Sequence, residues 1–70
     1  MDTTDKVWVF IGRYMKEHGY SPSHREMMEA VHISSTSVVA YHLDKLADRG
    51  IITKGPQGTM RTLRLNKEYD

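Results

Sequence analysis

Seventy residues make one small domain, residues 1–70, and such a chain buries only about 60% of the surface its unfolded form exposes, which leaves no room for a large catalytic pocket. No cysteine is present to supply disulfides or thiolate metal sites, no apolar run approaches the roughly 18 residues of a membrane span, and the N-terminus is polar, so a cytoplasmic protein without a membrane partner is expected. Ten Lys and Arg against nine Asp and Glu give a net charge of +1, but acidic residues stop at Asp48 and resume at Glu68, while Arg49, Lys54, Arg61, Arg64 and Lys67 lie between.

The first periodic segment predicts a helix over about 4–18. Val7, Phe10, Ile11, Tyr14 and Met15 recur at three- and four-residue steps and share one face, with Trp8 at its part-buried edge. Asp2, Thr3, Thr4 and Asp5 offer capping oxygens and favourable charge at the start, and Gly19 can take the left-handed conformation that ends it. Pro22 biases Ser21 away from helix. Ser23-His24-Arg25-Glu26 then reads as a capping box opening a short helix over about 24–31, with Met27, Ala30 and Val31 apolar. After His32-Ile33 a third helix is expected over about 35–49, capped by Ser34 and stopped by Gly50, its apolar face formed by Val39, His42, Leu43 and Leu46. Ile51-Ile52-Thr53-Lys54 and Met60-Arg61-Thr62-Leu63-Arg64-Leu65 flank the turn-forming Gly55-Pro56-Gln57-Gly58-Thr59, a hairpin over about 51–65.

A short helix joined to a longer one by a tight turn is the helix-turn-helix arrangement, and a hairpin after it makes a wing. The fold class is therefore mainly α with a small β-hairpin, a three-helix winged helix-turn-helix. The major groove of B-DNA admits one α-helix, provided its outward side is unobstructed and able to bond base edges. Residues 30–43 carry no formal charge, and Ser34-Ser35-Thr36-Ser37 stands at the start of the third helix. Small hydroxyl residues there let backbone amides approach phosphate and reach base edges at short range. Helical spacing sets Ser35, Val38, Tyr41 and Lys45 away from the core side, with Ser37 beside them. Val38 either meets a thymine methyl or packs inward beside Val39, and Tyr41 either stacks or bonds at the groove or caps the core edge; the residues leave both open. In the second strand Leu63 and Leu65 fall on one side and Arg64 on the other, while Lys54 and Arg61 flank the turn, where a projecting hairpin reaches phosphate or minor groove.

In this order and spacing the residues resemble the N-terminal winged-helix domain of LexA-type SOS repressors, from about Lys6 to Leu65. The resemblance is carried by Gly19-Tyr20-Ser21-Pro22-Ser23-His24-Arg25-Glu26-Met27, by Ala30-Val31 and Ile33-Ser34-Ser35-Thr36-Ser37-Val38, by the run from His42 to Ile52, and by Arg61-Thr62-Leu63-Arg64-Leu65. It implies a sequence-specific repressor that reads a short palindromic operator as a homodimer, without cofactor. Together with the helix-face reading it nominates Ser34, Ser35, Thr36, Ser37, Val38, Ala40, Tyr41 and Lys45 for base edges. Ser23, Arg25, Lys54, Arg61 and Arg64 are nominated for the DNA backbone, and His42 for a structural role on the packed side of the third helix. His32 stands where the family usually has glycine, a position that costs more for histidine if φ is positive. The family's self-cleaving peptidase domain has no counterpart in these residues, so induction by self-cleavage is not carried over.

Two rival readings deserve weighing. No spacing suggests a catalytic triad, and His18, His24, His32 and His42 lack a metal-ligand spacing, so neither an enzyme nor a metal site nor a small-molecule substrate is expected. A winged helix used for protein-protein contact is the serious alternative, because fold does not fix function. The uncharged start of the third helix and the basic hairpin favour DNA, with the protein held on the nucleoid.

Overall fold

The computed structural model describes residues 2–55 and 63–69. In chain order these form α1 (Thr3–His18), α2 (His24–Val31), α3 (Thr36–Asp48), β1 (Ile52–Thr53) and β2 (Arg64–Leu65). The strands pair antiparallel, Ile52 opposite Leu65 and Thr53 opposite Arg64. The expected helix-helix-turn-helix order is observed, followed by two paired strands; residues 56–62, which hold most of the expected turn and half of the expected second strand, Arg61 among them, lie outside the described residues.

Each helix boundary has a local cause. Asp2 caps α1 by accepting from the Asp5 amide at 2.8 Å, and that bond holds its carboxyl below the ordinary value. Gly19, at φ 81°, closes the other end and donates its amide to the Met15 carbonyl at 2.8 Å. The capping box of α2 is complete, with the Glu26 amide bonded to Ser23 Oγ at 3.1 Å and the Ser23 amide to Glu26 Oε1 at 3.0 Å. His32 ends α2 in the left-handed region at φ 57°, the strain foreseen at that position. After α3, Gly50 at φ 74° lets the Ile51 amide turn back to the Leu46 carbonyl at 3.0 Å.

The start of α3 departs from expectation. Ser35, not Ser34, is its N-cap, and the helix begins at Thr36. Ile33 packs against the core and the chain stays non-helical through Ser35, whose carbonyl accepts the Val39 amide at 3.3 Å. The Ser35 side chain makes no capping bond.

The core joins all three helices to the sheet through Val7, Ile11, Met27, Val39, Leu43, Leu46, Ile51, Ile52 and Leu63. Trp8, Phe10, Met15, Val31 and Leu65 pack around it, whereas Ala30, expected on the apolar side of α2, is exposed. On α2 the core contacts are made by Met27, Met28 and Val31, and Ala30 falls beyond them. His42 is tied to α1 by a 2.8 Å hydrogen bond between its Nδ1 and Thr4 Oγ1, which gives it the packing role expected of it. Past β2 the chain is fastened to α1 and β1. The Trp8 indole N–H donates to the Lys67 carbonyl at 2.8 Å, and Asn66 Nδ2 donates to Thr53 Oγ1 at 2.7 Å.

Candidate nucleic-acid interface

The buried side of α3 is fixed by Val39, Leu43 and Leu46, spaced four and three apart. That phase turns the intervening residues outward. Val38 is 41% exposed and Tyr41 57% exposed, so neither is absorbed by the core. The open question about Val38 is thereby answered: Val39 packs inward and Val38 does not. Ser34, Thr36 and Ser37 are exposed, and Ser35, Ala40 and Lys45 are half-buried. Lys45 Nζ lies 5.2 Å from the centre of the Tyr41 ring, a cation–π contact one helical turn apart.

This outward face is chemically unusual for a surface helix. Its first two turns present hydroxyls and one branched aliphatic, with no charged side chain before Asp44. Side chains of this kind leave the helix N-terminus unobstructed. The positive end of the dipole and the first-turn amides, which no Ser35 side-chain bond occupies, are then open to an anion.

The backbone candidates among the described residues lie on separate elements. Arg64 points outward from β2 while Leu63 is buried, the alternation expected of the strand. Lys54 is exposed just after β1, and its ammonium is bonded to the carboxylate of Asp44 on α3. Charge order along the chain could not show this, because the acid-free stretch of sequence is met in space by an acid from the helix before it. Ser23 and Arg25 are exposed at the start of α2, although the Ser23 hydroxyl is already engaged in the capping box.

Two further residues place the start of α2. The Tyr14 hydroxyl donates to Glu26 Oε2 at 2.6 Å, so Glu26 bridges α1 to the capping box. The same bond, followed by the one from the Ser23 amide, holds the Glu26 carboxyl below its usual value, and it pushes the Tyr14 phenol above its own. Helical periodicity alone gives Tyr14 a place in the apolar stripe and nothing more. Its second role depends on a partner twelve residues away, and no local pattern announces it.

Among the described residues no group of histidines and carboxylates is placed to hold a metal ion, and no helix is long and apolar enough to cross a membrane.

Comparison with known proteins agrees with this geometry. The pattern of the LexA DNA binding domain family matches residues 3–62. The LexA repressor of Roseiflexus sp. (strain RS-1) is 51% identical over 45 residues, 64% of this chain and 21% of that protein. The LexA repressor of Clostridium botulinum (strain Hall) is 42% identical over 59 residues, 84% of this chain and 29% of that protein. That of Clostridium tetani is 40% identical over 52 residues, 74% of this chain and 26% of that protein. The chain thus spans less than a third of the length of these relatives. By the family match and by its fold, the chain belongs to the LexA DNA-binding domain family.

Proposed function

We propose that the protein is the DNA-reading module of a transcriptional repressor, binding double-stranded DNA with α3 in the major groove and the basic wing on the backbone. The observation that carries this is the outward face of α3, where Ser37, Val38 and Tyr41 stand clear of the core at a helix start free of formal charge. Ser34, Ser35, Thr36, Ala40 and Lys45 complete the base-facing set. Ser23, Arg25, Lys54, Arg61 and Arg64 meet phosphate, which positions the domain without reading sequence. The relatives' printed name, LexA repressor, supports repression as the outcome, and binding of this kind holds the protein on the nucleoid.

A single domain of this size contacts few base pairs, and specificity in such modules comes from two copies on half-sites of fixed spacing. The reading therefore includes a homodimer on an inverted repeat. Selection of bound duplexes from a random pool tests it, followed by fluorescence anisotropy on the selected duplex at two salt concentrations. Enrichment of a palindromic motif with salt-sensitive binding is the expected result. Failure to bind any duplex at low salt would instead favour a protein partner for the same face.

A further inference from the structure

We propose that Asp44 is a built-in competitor for DNA, its carboxylate occupying the Lys54 ammonium that phosphate would otherwise take. The proposal rests on the DNA-binding reading above. Asp44 follows Ser37 by seven residues and Tyr41 by three, so helical spacing sets it on the same outward side of α3, further along the helix. Its side chain is 62% exposed, and that of Lys54 is 40% exposed. Lys54 Nζ is bonded to Asp44 Oδ1 across the gap between α3 and the root of the wing. An acid on the outward side of α3 and the exposed cation just after β1 are thus already engaged with each other.

An ion pair so exposed is weak, and a phosphate can displace it. The displacement carries a penalty nonetheless. Lys54 must leave its partner, and Asp44 is then left beside a polyanion without its counter-charge. Neutralising one phosphate releases condensed counterions with a slope of about 0.9 in log affinity against log salt. A cation recruited from solution to the bared Asp44 cancels part of that release. Asp44 therefore lowers both the affinity and the salt sensitivity that Lys54 would otherwise confer.

The isosteric change Asp44→Asn isolates the effect, because it removes the charge and keeps the shape. Wild type, Asp44→Asn, Lys54→Ala and the double variant are titrated against the duplex selected from a random pool, by anisotropy over a range of sodium chloride. Thermal melting of each protein checks that all four are folded. Asp44→Asn is expected to bind about two- to fivefold more tightly at low salt. Its salt slope is expected to steepen by up to about 0.9. With Lys54 already replaced by alanine, the same change should bring a clearly smaller gain, the part left by repulsion between Asp44 and the polyanion, and a smaller change of slope. Weaker binding by Asp44→Asn would overturn the proposal and show that Asp44 holds Lys54 in place for phosphate. An equal gain with and without Lys54 would also overturn it, leaving Asp44 as a simple repeller of DNA. So would a Lys54→Ala change that costs nothing in the Asp44→Asn background, where the ammonium is free to meet phosphate. A wild type that binds no duplex at low salt would instead defeat the DNA-binding reading itself.

Discussion

His32 carries the backbone strain of this domain as the one non-glycine residue with positive φ among those described, at 57°. An L-residue pays roughly 1–2 kcal/mol in the left-handed region. Glycine escapes that cost but loses roughly 0.5–1 kcal/mol through its freer unfolded chain. His32→Gly should therefore be mildly stabilising, raising the melting temperature by about 2–6 °C for a domain of this size; a lower melting temperature would show that the histidine side chain contributes something the backbone argument omits. The strain was legible in advance because His32 stands where the family usually has glycine. Val38 was not legible in the same way. Two adjacent valines give no helical phase by themselves, and only the burial of Val39 turns Val38 outward. If Val38 meets a thymine methyl, replacing that thymine by uracil in the selected duplex should cost about fourfold in affinity, the worth of one buried methyl. The same replacement should cost nothing in Val38→Ala. A uracil scan without effect at every position would remove Val38 from the base-reading set.

The elements are held in place by contacts of two kinds, and only one kind shows in a sequence. Caps and turns are local, so the Ser23–Glu26 box, Gly19 and Gly50 could be placed from neighbouring residues alone. Long-range bonds could not: Tyr14 to Glu26, His42 to Thr4, and Lys54 to Asp44 join residues 12, 38 and 10 positions apart. The start of α3 slipped by one residue for a related reason, since Ser34 and Ser35 are equivalent as caps and the packing of Ile33 decides between them. The α1–α2 link has a pH signature. The Glu26 carboxyl is held below its ordinary value in the folded protein, chiefly by the Tyr14 hydroxyl. Its contribution to stability is present above the unfolded value and is lost as pH falls through the folded one. Tyr14→Phe removes the main cause, so the acid-unfolding midpoint, followed by circular dichroism from neutral pH downward, should move to higher pH. An unchanged midpoint would mean that the Ser23 amide alone sets the ionisation of Glu26.

Across the domain, the proposed reading face and the core are two sides of one helix, and this decides which changes unfold the domain and which only blunt it. Leu43 is 2% exposed in the centre of the core. Truncation of such a leucine to alanine costs about 2–5 kcal/mol. A domain of this length holds roughly 3.5–10 kcal/mol in all. Leu43→Ala should therefore lower the urea midpoint by at least about a fifth; a midpoint close to wild type would contradict the assignment of the core. Tyr41, 57% exposed two residues earlier, should tolerate alanine with almost no change in stability. On the proposed reading, α3 reads sequence while the wing supplies affinity. It is tested most directly by the ratio of affinities for the selected duplex and a scrambled one, measured for wild type, Tyr41→Ala and Arg64→Ala. Tyr41→Ala should collapse that ratio while sparing most of the binding to scrambled DNA. Arg64→Ala should weaken both duplexes alike, keep the ratio, and reduce the salt slope by about one. A ratio that survives Tyr41→Ala and falls with Arg64→Ala would contradict the account and move sequence reading from the helix to the wing.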